Sequence, residues 1–339
     1  MTQQRPCGLL FVFSGPSGAG KNTIMEKVIE TELTLHQLPT ATTRPRRNNE
    51  QEGREHEFLS EAEFRQRILD KALIEWQIIH DRGVYGVPRK TIQRVLLEDR
   101  VMVADVDVLG AMELKREFDE HVVLIFVEAP SKEVLRQRLS NRSDVKTDQE
   151  LNTRLRRADF EMGFADFYDY RIVNHDGQLD ESVEQALEVI RREVENRPPC
   201  QENLGWNPEH IRTTVTGLII KDGYLLQYHE TFPALKVPSD HLPFEIIYHY
   251  FENTLDIDVR PTRPHADKRR VAMGFEPPQL VEVNQHDDEI EKNHIYILTT
   301  QTPMTSLPDG WRWVAINELN LSQSLADLLL QIVGDLQTD

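Results

Sequence analysis

Residues 15–23 read Gly15-Pro16-Ser17-Gly18-Ala19-Gly20-Lys21-Asn22-Thr23. They follow an apolar run at 9–13 and precede a helical pattern that begins at Ile24. Glycines let successive backbone N–H groups point at one anion, and the helix that follows adds its positive end. Lys21 can reach the outer phosphates, so this order predicts a nucleoside triphosphate site. The loop residues expected to bind that ligand are Gly15, Ser17, Gly18, Ala19, Gly20, Lys21, Asn22 and Thr23.

One loop position departs from the usual pattern. The residue after the lysine is normally Ser or Thr, whose hydroxyl binds Mg²⁺, but here it is Asn22. The amide oxygen of asparagine is also a neutral oxygen ligand, so Asn22 stays a candidate metal ligand. Thr23 offers the alternative hydroxyl.

Size and composition predict a soluble two-domain protein. The chain has 339 residues, enough for two domains of about 150 residues each, and 28% of them are charged. The sequence has neither an apolar run near the roughly 20 residues that span a bilayer nor a segment of signal type at its start. We therefore expect a cytoplasmic protein without a membrane partner. Cys7 and Cys200 cannot form a disulfide framework and are interpreted as buried or incidental thiols.

The net charge of −18 argues against a protein that wraps nucleic acid, because that mode of binding needs broad neutralisation of phosphates. Any polyanion that this protein handles should be small. Arginines are concentrated in two groups, Arg44, Arg46, Arg47 and Arg54, and Arg136, Arg138, Arg142, Arg154, Arg156 and Arg157. Clustering alone does not establish phosphate binding, since arginines are common on solvated helix faces.

The hydrophobic pattern divides the chain. Residues 1–196 alternate apolar runs with amphipathic patterns, which predicts an α/β domain whose largely parallel sheet is covered by helices. Its predicted strands are 9–13, 101–106 and 122–127, and its helices 61–69, 91–97, 132–139, 150–160 and 181–195. Residues 197–211 read as a linker. Residues 212–339 read as an α+β domain with a hairpin around 222–223, strands at 279–283, 294–299 and 311–316, and a helix at 322–336. The acidic stretch 287–291 is interpreted as a solvated loop.

Several segments of the first domain resemble guanylate kinases in order and spacing, over about residues 7–195. They are Thr40-Ala41-Thr42-Thr43-Arg44-Pro45-Arg46-Arg47, Ile74-Glu75-Trp76, Val84-Tyr85-Gly86, Asp105-Val106-Asp107, Arg138, Arg142, Arg154 and Val173-Asn174-His175-Asp176. The resemblance implies the P-loop kinase fold with a lid, and transfer of a phosphoryl group from ATP with Mg²⁺.

On the donor side, the resemblance implies that Lys21 and the loop amides hold the phosphates of ATP, with Asn174 beside the nucleotide. Arg138, Arg142 and Arg154 would neutralise the transferred group. Such a role suits arginine, because phosphoryl transfer depends on positioning and charge stabilisation. Asp105 would hold metal-bound water or orient the acceptor arginines, and with Asn22 it forms the expected metal site.

The acceptor residues that the resemblance implies are Thr40, Arg44, Arg47, His56, Glu75, Tyr85 and Asp107. Arg44 and Arg47 would grip the acceptor phosphate, and Arg44 also counts among the catalytic residues. Glu75 would accept hydrogen bonds from the ring N–H and the exocyclic amine of guanine, a pairing that adenine does not offer. GMP or dGMP is therefore the expected acceptor, in purine nucleotide metabolism.

Three further positions depart from the family pattern. His56 replaces a tyrosine on the acceptor phosphate, Val87 replaces a Ser or Thr that contacts guanine, and Leu109 replaces a glutamine. A lost hydrogen bond in a buried pocket costs about 1–3 kcal/mol. His56 can still donate to a phosphate, whereas Val87 cannot. The base pocket that the resemblance implies therefore has one hydrogen-bond partner fewer for guanine at Val87.

Two alternatives stay open. The sequence Asn174-His175-Asp176-Gly177 is also similar to the C-terminal segment of ribose 1,5-bisphosphate phosphokinases, so the acceptor could be a sugar phosphate. Guanylate-kinase-like domains also serve as non-catalytic binding modules, but those commonly have eroded phosphate loops. The persistence of Gly18, Gly20 and Lys21 favours an enzyme. A homodimer is left open.

The second domain looks like a Nudix hydrolase framework at 214–228, 236–238, 276–282 and 313–319. Its reactive part does not match, because that family needs several carboxylates on one helix to share Mg²⁺. On the predicted helical part of the stretch 239–253, which begins at Pro243, only Glu245 and Glu252 offer carboxylates. We expect a Nudix-like fold without pyrophosphohydrolase activity.

Overall fold

The computed structural model divides into two compact units, each with its own core. Unit 1 comprises Met1–Thr40, Arg47–Glu57 and Val87–Gly205, and unit 2 comprises Ala41–Arg46, Phe58–Gly86 and Trp206–Asp339. The structure describes residues 7–48, 50–54, 56–79, 83–141, 147–200, 204–232, 234–262, 278–286, 289–301, 303–304, 307–319, 321, 325–326 and 328–329. Unit 2 thus joins two short segments of the first predicted domain, 41–46 and 58–86 (the small lobe), with residues 206–339 (the C-terminal domain).

The strands alternate with helices through the first 200 residues and dominate thereafter. The strands are β1 Leu9–Ser14, β2 His36–Gln37, β3 Thr40–Thr42, β4 His56–Phe58, β5 Leu73–Ile79, β6 Gly83–Pro88, β7 Val101–Asp105, β8 Val122–Glu128, β9 Tyr170–Val173, β10 Ile211–Lys221, β11 Tyr224–Tyr228, β12 Ala234–Lys236, β13 Val259–Pro261, β14 Leu280–His286, β15 Glu289–Thr300 and β16 Trp311–Ala315. The helices are α1 Lys21–Thr31, α2 Glu61–Leu69, α3 Arg89–Leu97, α4 Val108–Phe118, α5 Lys132–Ser140, α6 Asp148–Met162, α7 Leu179–Glu195 and α8 Pro243–His249, which continues into the π-helical turn Tyr250–Thr254. None of the helices in the described ranges is both long enough and apolar enough to span a membrane.

A parallel sheet in the order β2-β7-β1-β8-β9 forms the centre of unit 1. All six residues of β1 are buried, as expected for a strand covered on both faces. Apolar side chains of β1 and β8 pack with α1 and with the face of α7 that carries Val183, Leu187 and Ile190. The predicted parallel sheet is confirmed. Its carboxyl edge is where ligands bind in open α/β sheets, and the glycine loop leaves β1 there.

In the small lobe, β3 pairs antiparallel with β6 in the sheet β4-β3-β6-β5. The sequence did not predict this sheet, in which β3 and β4 have only three residues each. Helix α2 has the predicted bounds, and a capping box between Ser60 and Glu63 fixes its start. Phe64 on α2 packs in a buried cluster with Leu73, Trp76 and Val84.

The C-terminal domain has a mixed sheet in the order β13-β15-β10-β11-β16, with β12 paired to β10 and β14 to β15. β10 and β15 run parallel from Ile211 opposite Ile290 to Ile220 opposite Thr299. Helix α8 packs on this sheet through Phe244 and Ile247. Gly217 permits that approach, because a Cβ there would lie 2.4 Å from the ring of Phe251.

Two sequence expectations are wrong. Cys7 and Cys200 form a disulfide and are not two separate thiols, and the Cys7 N–H donates to the Pro198 carbonyl at 3.2 Å. The stretch 287–291 is not simply a loop, because its last three residues begin β15. Residues 287–288, and most of the predicted helix 322–336, lie outside the described residues.

Candidate active site

The glycine loop adopts a conformation that only glycines allow comfortably. Gly15, Gly18 and Gly20 have φ of 136°, 90° and 92°. A Cβ on Gly20 would lie 2.2 Å from the Asn174 amide nitrogen, and one on Gly15 would lie 2.0 Å from the Val127 carbonyl. Gly20 is also the N-cap of α1 and has no side chain to satisfy the first amides of the helix. Those N–H groups and the helix dipole make this end of α1 chemically suited to an anion.

Lys21, the first residue of α1, donates a hydrogen bond to Oδ1 of Asp105 at the end of β7. Both side chains are mostly buried, at 17% and 30% exposed. The sequence placed Lys21 at the phosphates and Asp105 at the edge of the sheet. The structure brings these two predicted residues together.

Asp107 lies two residues further on and is the N-cap of α4, accepting from the Gly110 N–H at 2.9 Å. It also accepts from Arg157 Nη2 at 3.3 Å, and Arg157 Nε donates to Glu161 at 2.9 Å. Burial lowers the pKa of Arg157, but the carboxylates of Glu161 and Asp107 raise it more. The pKa of Glu161 is raised, chiefly by burial and further by the Asp107 carboxylate, although Arg157 acts to lower it.

The sequence did not single out Arg157 or Glu161 as site residues. The available signal was spacing, since Arg154 and Arg157 are three residues apart on α6 and so lie on neighbouring parts of its surface. Arg154 itself is partly buried. Arg142, the third arginine predicted for the lid, lies outside the described residues.

Arg138 on α5 lies against the glycine loop. Its Nη2 donates to the Asn174 carbonyl at 2.7 Å, its Nε to Asp176 at 3.0 Å and its Nη1 to the Ala19 carbonyl at 3.3 Å. The Asn174 amide donates to the same Ala19 carbonyl at 2.8 Å. Three residues predicted on the ATP side, Ala19, Arg138 and Asn174, are therefore linked by hydrogen bonds, and Asp176 accepts a further hydrogen bond from Arg138. Ser17, Asn22 and Thr23 are exposed around the loop.

In the small lobe, Arg44 is held in a defined orientation. It is 8% exposed, its Nε donates to the Tyr85 hydroxyl at 2.9 Å, and its guanidinium lies 5.5 Å from the centre of the Phe58 ring. Burying an arginine is unfavourable unless its donors are satisfied. Two predicted acceptor residues, Arg44 and Tyr85, thus form one hydrogen-bonded pair, and partly buried Glu75 lies on β5 of the same lobe.

Thr40, His56 and Arg47 belong to unit 1. The Thr40 hydroxyl and His56 Nδ1 are 2.8 Å apart, so two predicted acceptor residues share a hydrogen bond whose direction depends on the histidine tautomer. Arg47 is exposed, and its backbone N–H donates to Glu50 at 2.8 Å. Val87 is buried, at 1% exposed.

The residues at the donor site suit Mg²⁺ held mainly by phosphate oxygens and water. Within the described ranges, three or more His, Cys, Asp or Glu side chains are nowhere grouped to hold a metal. Mg²⁺ commonly uses only one or two carboxylates beside substrate phosphates. Asp105, at the edge of the sheet, offers one carboxylate, and Asn22, exposed on the first turn of α1, offers an amide oxygen.

The two carboxylates of the α8 region have structural partners. Glu245 forms an ion pair with Arg65 at 2.6 Å and accepts from the Leu242 N–H at 2.7 Å. Glu252 accepts from the Val259 N–H at 2.8 Å. Both groups are thus engaged within unit 2.

Comparison with known proteins gives one family for the first half of the chain. The family model described as "Guanylate kinase" matches residues 8–193. The guanylate kinase of Porphyromonas gingivalis is 37% identical over 182 residues, which cover 53% of this chain and 95% of that protein. Among solved structures, the guanylate kinase from Anaplasma phagocytophilum is similar at 27% identity over 56% of this chain and 88% of that chain, with a TM-score of 0.43.

The second domain also has neighbours among solved structures. A hydrolase of the NUDIX family from Clostridium perfringens is similar at 14% identity over 38% of this chain and 97% of that chain, with a TM-score of 0.26. The predicted resemblance of the first domain to guanylate kinases and the predicted pair of architectures, a parallel sheet with flanking helices and a second mixed-sheet domain, are confirmed.

Proposed function

Because this chain belongs to the guanylate kinase family, a family of phosphotransferases, we propose that it transfers the γ-phosphoryl group of ATP to GMP or dGMP. The observation that carries the proposal is the glycine loop with Lys21 against Asp105 at the carboxyl edge of the parallel sheet. This arrangement offers backbone N–H groups, an ammonium and a carboxylate to one triphosphate. ATP and GMP are intracellular metabolites, and we expect the enzyme in the cytoplasm.

On the donor side, the loop amides and the N-terminus of α1 bind the phosphates of ATP, with Lys21 at the outer ones. Arg138 is held against the loop by Asn174 and Asp176, which favours a fixed guanidinium near the transferred group. Asp105 and Asn22 would hold Mg²⁺, which neutralises phosphate charge when bound. The protein contributes positions and charges, as phosphoryl transfer requires.

On the acceptor side, Arg44 binds the phosphate of the monophosphate, with Arg47 as the second cation. Tyr85 orients Arg44. Glu75 accepts from the ring N–H and the exocyclic amine of guanine, and the Thr40 and His56 pair supplies further polar contact. Val87 offers no hydrogen bond to the base, so selectivity for guanine rests mainly on Glu75.

The direct test is a coupled assay of ADP release from ATP, with GMP, dGMP, AMP, IMP and ribose 1,5-bisphosphate as acceptors. We expect turnover with GMP and dGMP well above that with AMP, and its loss in Lys21→Ala. Faster turnover with ribose 1,5-bisphosphate than with GMP would replace the proposed acceptor. Absence of turnover with every acceptor would favour a non-catalytic binding module.

The C-terminal domain is proposed not to hydrolyse pyrophosphates. This rests on the engagement of Glu245 and Glu252 in structural contacts, since Nudix chemistry needs free carboxylates that share Mg²⁺. The Lys21→Ala variant of the full chain, in which the kinase is disabled, tests it with nucleoside diphosphate-linked substrates. Mg²⁺-dependent release of a nucleoside monophosphate from them would overturn the proposal.

A further inference from the structure

Leu242, in the loop before α8, completes the core of the small lobe. It is fully buried in one cluster with Ala41, Phe64, Leu73, Trp76 and Val84, all of which belong to the small lobe. These residues come from α2 and from three strands of the lobe, β3, β5 and β6. A core closed by a side chain from another domain would contain a cavity without it. The core of the small lobe is therefore complete only with a side chain from the C-terminal domain.

An ion pair holds Leu242 in place. Arg65 Nη2 on α2 lies 2.6 Å and 2.7 Å from the two carboxylate oxygens of Glu245, at low exposure of 28% and 18%. The same carboxylate accepts from the backbone N–H of Leu242. One glutamate thus caps α8, binds the small lobe and fixes the residue that enters its core. Such partly desolvated, charge-assisted bonds are stronger than surface pairs.

Two lysines join the small lobe to the C-terminal domain, and one of them contacts the strand that carries Glu75. Lys292 on β15 is 5% exposed, and its Nζ donates to the carbonyl of Ile74 on β5 at 3.4 Å and lies 5.4 Å from the Trp206 ring. Lys71, in the turn between α2 and β5, donates to the Ile211 carbonyl at the start of β10. Both contacts join the small lobe to strands of the C-terminal sheet.

These contacts involve the residues immediately before and after Glu75 in the chain. Its neighbour Ile74 receives the hydrogen bond from Lys292, and its other neighbour Trp76 packs in the cluster with Leu242. A side chain on a strand can move only as far as its backbone allows. The position of the Glu75 carboxylate is therefore tied to the C-terminal domain.

We propose that the C-terminal domain positions β5 through Leu242, Glu245 and Lys292 and thereby sets the affinity for the acceptor nucleotide. The proposal rests on the proposed function, in which Glu75 binds the acceptor base. Leu242, Glu245 and Lys292 are positioning residues, and the donor residues Lys21 and Asp105 belong to the other compact unit. Weakening the contact should raise KM for GMP and leave KM for ATP and kcat nearly unchanged.

The test uses the full chain with the variants Lys292→Met, Arg65→Met, Glu245→Gln and the double variant Arg65→Met/Glu245→Gln. Methionine keeps the length of the lysine side chain, and glutamine keeps an acceptor for the Leu242 N–H. The control is Arg212→Met, which breaks the pair of Arg212 with Glu289 in the same domain, where both side chains are largely exposed, at 65% and 58%. Steady-state kinetics for GMP and ATP are combined with hydrogen exchange of residues 73–79.

We expect Lys292→Met to raise KM for GMP about fivefold or more, with kcat within about twofold and faster exchange in 73–79. Arg65→Met and Glu245→Gln should each raise KM for GMP. The double variant should have a KM for GMP close to that of each single variant, because all three variants lose the same ion pair between Arg65 and Glu245. Arg212→Met should match the wild type. Unchanged KM and exchange in both Lys292→Met and Arg65→Met would overturn the inference.

Failure of the proposed function is distinguishable from failure of this inference. If the wild type does not turn over GMP, the proposed function fails and hydrogen exchange alone decides whether the domain positions β5. Faster exchange of 73–79 in Lys292→Met than in Arg212→Met then supports the coupling. Equal exchange in the two variants overturns it.

Discussion

Lys21 at the start of α1 donates a hydrogen bond to Asp105 at the end of β7, although the two residues are 84 positions apart in the chain. The pair stands at the carboxyl edge of the parallel sheet, because β1 and β7 are neighbours and Phe13 lies opposite Asp105. The fold itself therefore places a cation suited to phosphate next to a carboxylate suited to Mg²⁺.

Replacing Asp105 tests this pair. Asp105→Asn removes the charge that holds Lys21 and that would hold Mg²⁺, so we expect kcat to fall about 10²-fold, as for the loss of one preorganised group at a transition state. Steady-state ADP release with GMP measures it. Asp180→Asn, which changes a carboxylate that is 96% exposed on α7, is the matched control. Equal rates in the two variants would contradict a role for Asp105.

Arg157 should prove necessary although the sequence did not single it out. Arg157→Met leaves Asp107 and Glu161 without the guanidinium that bridges them, a loss of about 1.5–3 kcal/mol for bonds between charged groups. We expect kcat/KM to fall about tenfold or more and Arg157→Lys to recover part of it. Arg191→Met, at an exposed pair with Glu184, is the control. Wild-type kinetics in Arg157→Met would show that the bridge is dispensable.

The hydroxyl of Tyr85 orients Arg44. Tyr85→Phe removes the acceptor of a 2.9 Å hydrogen bond from Arg44 Nε, worth about 1 kcal/mol. KM for GMP should rise about fivefold, while KM for ATP stays the same. Tyr224→Phe serves as the control, because Tyr224 is 41% exposed on β11. An unchanged KM for GMP would mean that Arg44 is oriented without Tyr85.

Asn22 departs from the hydroxyl expected after the loop lysine. Asn22→Ser should raise the affinity for Mg²⁺, since a serine hydroxyl at this position of the loop is the usual ligand. The concentration of Mg²⁺ that gives half-maximal rate should fall. A titration that coincides with that of the wild type would count against Asn22 as a metal ligand.

The stability of the protein should fall in mild acid because of His294. Burial lowers the pKa of His294 from 6.5 to about 3, and nearby Lys292 adds to the shift. The unfolded chain binds the extra proton below about pH 6.5, so stability is complete above that pH and is lost as the pH falls toward 3. At about pH 5 the loss from this group is ~2 kcal/mol, at ~1.4 kcal/mol per pH unit.

Thermal unfolding at about pH 7 and pH 5 measures the effect. Burial lowers the pKa of His121 as well. Part of the decrease in thermal stability between about pH 7 and pH 5 should therefore remain in His294→Gln. The unfolding temperature of His294→Gln should change less between about pH 7 and pH 5 than that of the wild type, whatever the absolute stability of the variant. His241→Gln, at an exposed histidine, should keep the slope of the wild type. The same slope in His294→Gln would exclude His294 as its source.

Local patterns were sufficient for the glycine loop of unit 1 and for helix α2 of the small lobe. The capping box of Ser60 and Glu63 specifies the start of α2 from four residues, and the predicted bounds of that helix are confirmed. The glycine loop could also be predicted from its own residues, because the left-handed φ of Gly18 and Gly20 favours glycine independently of the neighbouring elements. The roles of the site residues in binding and catalysis stay predictions.

By itself, the sequence determined the glycine loop, the parallel sheet around it and the family of the first half. The loop and each strand appear as local patterns, and the family appears as a series of short motifs in a fixed order along residues 8–193. Only the tertiary structure decided that Cys7 pairs with Cys200, 193 residues away, that Arg157 bridges Asp107 and Glu161, and that Leu242 enters the core of the small lobe. Periodicity specifies which face of an element is buried but not which distant element covers it. These partners are chosen by packing and by the pairing of buried charges, which exist only once the chain has folded.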